Sequence, residues 1–248
     1  MTPFLGVSRG ILGWGILLCL AQSIQAQVYP SWFVDQEKSL CGPTVVGYAH
    51  ASFYPDSSAA QAIRDGTERW ARNRQTIVAG GQAFWSTEIG TAWMGSNIQE
   101  HFDTTSVTQV LTFLAPLDTL QLEGLVAVLL GEPGCILAPS MRRGQVIQKA
   151  PPPAWVENLP RKAGILYAVG VAPEYYYEPS SWDEAEQGAR LNLAHAMGVK
   201  VKEVQRIGPD SQEVVNEDLS VVLRGLQVLA RWRDARQRVF YVLMSMPQ

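Results

Sequence analysis

Residues able to do chemistry are few and scattered in this sequence. Its three histidines, His50, His101 and His195, lie far apart, and no CxxC or HExxH spacing accompanies them. Neither a metal centre nor a cofactor is therefore expected. The densest carboxylate group is Asp183, Glu184 and Glu186, a combination that can supply a general acid and base. A helix start accounts for the same residues, because carboxylates complement the positive end of the helix dipole, and no catalytic role is assigned to them. Gly6-Val7-Ser8-Arg9-Gly10 has the spacing of a hydrolase nucleophile elbow, but it falls in a leader and precedes no strand-to-helix turn. Four arginines, Arg231, Arg233, Arg236 and Arg238, gather where a hairpin tip is expected and could meet a partner's carboxylates or anionic headgroups. Tyr175, Tyr176 and Tyr177 form a run that could stack on a glycan or peptide. The chemistry on offer is binding, and no enzyme is expected.

Composition narrows the partners. The formal net charge is −3 with a pI near 5.7, which argues against a nucleic-acid partner, since such proteins carry a basic excess. A chain of 248 residues that is 47% hydrophobic can bury two ordinary cores.

Residues 1–26 have the pattern of a signal peptide: Arg9, then an apolar run over 11–21, then a small-residue site ending at Ala26. That run is shorter than the roughly 20 residues a transmembrane helix needs. A soluble exported chain starting at Gln27 follows, in the periplasm or at the outer-membrane periphery. Lipidation at Cys19 is the alternative, although Leu18 stands where a lipoprotein signal has Gly or Ala. In an oxidising compartment Cys41 and Cys135 could close a disulfide; two buried thiols are the other reading.

The elements that must position these residues are revealed by an internal repeat. Setting residue n against n + 123 aligns Trp32 with Trp155, Val46-Gly47 with Val169-Gly170, Tyr54 with Tyr177, Ser57-Ser58 with Ser180-Ser181, Ala62 with Ala185 and Ala71 with Ala194. Two similar domains are expected, over 27–146 and 147–248, separated by the prolines at 151–153. In the second, residues 165–171 read as a strand whose Gly170 marks a close backbone approach, repeated at Gly47. Ser181-Trp182-Asp183-Glu184 reads as a capping box, echoed by Ser58-Ala59-Ala60-Gln61. Trp182, Ala185, Ala189, Leu193 and Ala196 then give a helix with a small apolar face. The alternation at 199–204 reads as a strand after that helix, and 226–246 as a hairpin. The first copy's hairpin is expected at 125–138, at an offset of 101, with about 22 extra residues within 80–115. The fold class is α+β: two tandem similar domains, each an antiparallel sheet with one long helix packed on a face.

On Pro153-Ala154-Trp155-Val156, Tyr167-Ala168-Val169-Gly170 and residues 185–194 followed by Val199-Lys200-Val201, the chain resembles the LPP-twenty lipoprotein family of Gram-negative surface and outer-membrane proteins. The resemblance covers most of 153–248 and, more faintly, 30–141. It implies a helix on an antiparallel sheet, export to the envelope, and self-association or binding to other envelope proteins. Some relatives take part in flagellar outer-membrane structures, and no catalytic residues come with the pattern. The function expected is a non-enzymatic envelope protein acting as a structural or assembly element; a periplasmic module that binds cell-wall fragments or peptides is the alternative.

Overall fold

The computed structural model describes residues 27–36, 42–87, 90–96, 98–105, 107–110, 112–145, 151–203 and 214–248. The expected leader, Cys19 and Cys41 lie outside them. In chain order the elements are β1 (Tyr29–Pro30), α1 (Ser31–Val34), β2 (Val45–Ala49), α2 (Pro55–Arg74), β3 (Gln75–Thr87), β4 (Gly90–Ser96), β5 (Gln99–Phe102), α3 (Val107–Val110), β6 (Ala115–Gln121), β7 (Val126–Gly131), β8 (Gly144–Gln145), α4 (Ala154–Glu157), β9 (Ile165–Pro173), α5 (Glu178–Glu203), β10 (Val214–Arg224), β11 (Gln227–Asp234) and β12 (Val239–Pro247). The protein is mixed α and β, and the strands of its sheets pair antiparallel.

Two three-stranded sheets carry a long helix each. One has the order β2-β7-β6 with α2 packed on it, the other β9-β12-β11 with α5 packed on it. Both contacts depend on a missing side chain. A Cβ at Gly170 would stand 1.8 Å from the Ala185 carbonyl oxygen and 2.3 Å from the Ala189 nitrogen. At Gly47 the same atom would stand 1.9 Å from the Ala62 oxygen and 2.4 Å from the Gly66 nitrogen. The close approach expected at the repeated glycine thus occurs at both positions, and the segment that crosses is a helix each time; Ala62 and Ala185, which the glycines meet, are themselves a repeated pair. The short helices α1 and α4 occupy equivalent positions too, each following an extended proline, Pro30 or Pro153.

Several local expectations give way to tertiary structure. Ser181 and Ser58 do not cap their helices: α5 begins at Glu178 and α2 at Pro55, one turn earlier. Each serine instead ties down the loop before its helix, Ser181 Oγ accepting from the Tyr175 amide at 2.8 Å and Ser58 Oγ from the Ser52 amide at 3.0 Å. Residues 199–203 continue α5 in place of the expected strand. The end of that helix packs over β10, where Gly198 approaches the Leu219 side chain, and this cover outweighs a short alternating pattern. Residues 135–138 form no strand, because β7 already has β2 on one edge and β6 on the other. The hairpin matching 226–246 is therefore β6-β7, at an offset of 114: Val128 lies opposite Gly47, as Val242 lies opposite Gly170.

A third sheet joins the two halves. β10 pairs with β3 from Val214↔Trp85 to Arg224↔Gln75, while β4 and β5 pair with the other edge of β3. One buried cluster likewise contains Trp32, Phe33, Tyr48 and Leu129 together with Trp182, Leu193, Trp232 and Phe240. No described helix is long and apolar enough to cross a membrane.

Because the atoms met at the two glycines are backbone, they cannot swing aside. Gly170→Ala and Gly47→Ala are each expected to cost about 3 kcal/mol or more of folding stability, measured as a lowered urea midpoint. Gly124→Ala, with nothing within 4 Å, should stay within about 0.5 kcal/mol of wild type.

Candidate functional site

Charged side chains from β2, α2, α5 and β11 meet in the interior. Glu186, on α5, is 1% exposed. Its Oε1 accepts from the Tyr48 hydroxyl at 2.7 Å and from Arg231 Nη2 at 3.0 Å, and its Oε2 from Arg69 Nη1 at 2.6 Å. Arg231, on β11, also donates to Tyr48 Oη at 2.6 Å, to Gln36 Oε1 at 3.0 Å and to the Phe33 carbonyl at 3.1 Å. Arg69, on α2, donates to Asp65 at 2.6 Å and to Asp183 at 2.7 Å, and its guanidinium lies over the Tyr48 ring. Asp65 also accepts from the Tyr48 amide at 2.7 Å. The cluster continues along α5 to Arg190, which donates to both Glu100 oxygens and lies 4.0 Å from Glu186. Arg72 stands 3.9 Å from Glu100.

Arg69, Arg72, Arg190 and Arg231 thus balance Asp65, Glu100, Asp183 and Glu186. Buried ions persist only when paired and hydrogen-bonded, and this set comes close to that condition. Arg190 Nη1 and Arg72 Nε are the buried guanidinium atoms here without an acceptor. Burial alone would raise the Glu186 pKa; Arg69 and Arg231, the Tyr48 hydroxyl and Arg190 outweigh it and hold the carboxyl at about 2. Burial drives the Tyr48 phenol well above its usual value, with Glu186 adding to the shift and Arg231 opposing it. Burial also opposes the charge on Arg69, yet Glu186, Asp65 and Asp183 raise its pKa further. A carboxylate this acidic and enclosed is a poor base, and a phenol this basic is a poor acid. The arrangement is suited to fastening β2 and α2 to α5 and β11.

A second polar group sits at the start of α5. Glu178 accepts from the Tyr29 hydroxyl at 2.6 Å, from Trp182 Nε1 at 3.0 Å and from Gln27 Nε2 at 3.2 Å. Arg233 donates to Gln27 at 2.7 Å and to Glu174 at 2.8 Å. Burial, followed by Glu178, raises the Tyr29 pKa well above its usual value.

The residues singled out from the sequence fall in different places. Arg231 is not at a hairpin tip: it is 1% exposed, since β11 is buried on both faces, the adjacent Trp232 being buried as well. Arg233 is mostly enclosed by Glu174 and Gln27, Arg238 is exposed but paired with Glu174, and Arg236 lies exposed in the turn that Asp234 caps. Tyr175, Tyr176 and Tyr177 are exposed. Glu186 enters the buried cluster and Asp183, itself exposed, pairs with Arg69 at its rim, instead of merely marking a helix start. His50 lies in the loop after β2, His101 on β5 and His195 on α5, and the described residues hold no group of three metal-ligating side chains. Cys135 is disulfide-bonded; Cys41, its expected partner, lies outside the described residues.

Sequence reasoning missed Tyr48, Arg69 and Arg190. The signal was a charged pair four apart on each helix, Asp65 with Arg69 and Glu186 with Arg190, placed beside the apolar stripe. The spacing of 123 carries no trace of them: Arg69 aligns with Asn192 and Glu186 with Ile63.

The depressed Glu186 pKa makes stability depend on pH with a definite sign. Its contribution is complete above the ordinary carboxyl value near 4.5 and is lost as pH falls towards about 2. The loss is on the order of 3 kcal/mol. Glu186→Gln should lower stability at pH 7 and flatten this acid limb, as followed by urea midpoints at pH 7, 4.5 and 3. Equal acid loss in both proteins would remove Glu186 as the source.

No family model, curated protein or solved structure matches this chain.

Proposed function

We propose that this is a non-enzymatic exported protein of the Gram-negative cell envelope, a tandem duplicate of an LPP-twenty-like unit, that acts as a structural or assembly element of the flagellar or outer-membrane apparatus. The observation that carries the reading is the β10-β3-β4 sheet. Both halves build it, and among the described residues β4 and β10 pair only with β3. Such edges offer backbone donors and acceptors to another chain. Ile77 and Val222, opposite each other in register and both exposed, add an apolar spot to the outer face of that sheet. The leader-like residues 1–26 and the bonded state of Cys135 fit an oxidising envelope compartment. Partners would be envelope proteins or further copies of the chain, with the outer membrane nearby and no nucleic acid.

The test is light scattering on the purified protein together with cross-linking in intact envelopes. Oligomers or cross-linked envelope partners are expected, and an Ile77→Lys/Val222→Glu variant should lose them while melting normally. A monomer without cross-linked partners would overturn the reading.

A ligand-binding module for cell-wall fragments or peptides is the second reading, favoured by a cavity of about 580 Å³ lined by Thr44, Trp70, Asn73, Leu226 and Leu229. Trp70 makes it measurable: muropeptides should quench tryptophan fluorescence saturably, and a flat titration would dismiss it.

A further inference from the structure

At the end of the ion cluster where Arg72, Arg190 and Glu100 meet lies a cavity of about 400 Å³. The end of α2 brings Arg72 to its wall, β5 brings Gln99, Glu100 and Phe102, and α5 brings Gln187 and Arg190. The charges around it are unevenly paired. Asp183 accepts from Arg69 at 2.7 Å, and Glu100 accepts from Arg190 Nε with both oxygens, at 2.9 and 3.0 Å. Arg72 is the least well served. Glu100 comes no nearer to it than 3.9 Å, and its Nε has no acceptor among the described residues although the side chain is only 19% exposed. Arg190, 1% exposed, has a second such donor in Nη1. Buried donors are ordinarily paired, and a charged one left unmet is costly. Burial lowers the Arg72 pKa, and the like charges of Arg190 and Arg69 lower it further, each felt more strongly than Glu100 or Asp183.

The chemistry that meets these donors is an oxyanion. The Arg72 guanidinium lies over the Phe102 ring, 4.7 Å from its centre, and a planar fork supported in this way matches the two oxygens of a carboxylate. Gln99 and Gln187, both exposed at the rim, carry amide groups that can donate to the same ligand. The acids on the wall select among anions. Glu100 and Asp183 repel a dianion such as phosphate about twice as strongly as a carboxylate.

We propose that Arg72, backed by Phe102 and joined by Arg190, Gln99 and Gln187, forms a binding site for a singly charged carboxylate group. The site shares no lining residue with the cavity beside Trp70 and requires no envelope partner, so its failure leaves the cross-linking and muropeptide tests standing. The purified protein is titrated at constant ionic strength with acetate and with N-acetylalanine, and in parallel with N-acetylalaninamide and inorganic phosphate. Melting temperature and the NMR resonance of the Arg72 Nε–H group are followed. Both carboxylates should raise the melting temperature saturably and move the resonance, the amide should do neither, and phosphate should act only at higher concentration. Equal response to the two carboxylates would assign the site to a free carboxylate, and tighter binding of N-acetylalanine to a chain end. Arg72→Gln, which removes the unmet donor, should bind at least about tenfold more weakly. An unmoved resonance in the wild-type chain, which is read whatever the stability of the variant, would leave the donors to water and overturn the proposal. Equal response to the amide, undiminished binding by Arg72→Gln, or phosphate binding more tightly than either carboxylate would overturn it as well.

Discussion

The burial of the Glu186 carboxylate governs how the two helix-bearing sheets fit together. An ionised carboxylate cannot remain in a dry interior unless cations and donors surround it, and no single element supplies them here. Tyr48 comes from β2, Arg69 from α2 and Arg231 from β11. Each partner must arrive in register for the charge to be tolerated. The attraction is local and directional, so it specifies one mutual placement of the sheets in a way that apolar contact does not. Phe33 and Gln36 complete the surroundings by receiving the remaining Arg231 donors.

Apolar packing supplies the bulk of the contact around that charge. Tyr29, Phe33, Trp182 and Phe240 form a chain of ring contacts between 4.6 and 6.3 Å beside the ion cluster. On either side, a helix lies directly on a glycine of the sheet beneath it. That close approach brings α5 near enough for Glu186 to reach Tyr48, and α2 near enough for Arg69 to reach Glu186. Backbone proximity and the buried charge are thus linked: a helix lifted off its sheet would also draw its carboxylate or guanidinium out of the cluster.

Positions 123 apart do not share their surroundings around the ion cluster. Val171 aligns with Tyr48, yet it is exposed while Tyr48 is buried. Glu186 and Arg69, which meet there, likewise have unlike residues, Ile63 and Asn192, at the positions 123 away. The residues that recur at this spacing make the same local contacts twice: the glycine under a helix, and the serine tying the loop before it.

Periodicity and repetition in the sequence determined β9, the β11-β12 hairpin, a close backbone approach at both glycines and the apolar face of α5, since each follows from contacts between near neighbours or from sterics at one residue. The start of α5, its continuation through 199–203 and the lack of a strand at 135–138 were decided by tertiary structure, because they depend on which edges and faces distant segments had already covered. Arg231 makes the same point for the site. On the strand pattern it is one of four arginines near a turn, and only the arrival of Glu186, from 45 residues away, and of Tyr48, from 183 residues away, makes it a buried partner. A charge is read as exposed until its counterion is known, and that counterion is fixed by the fold.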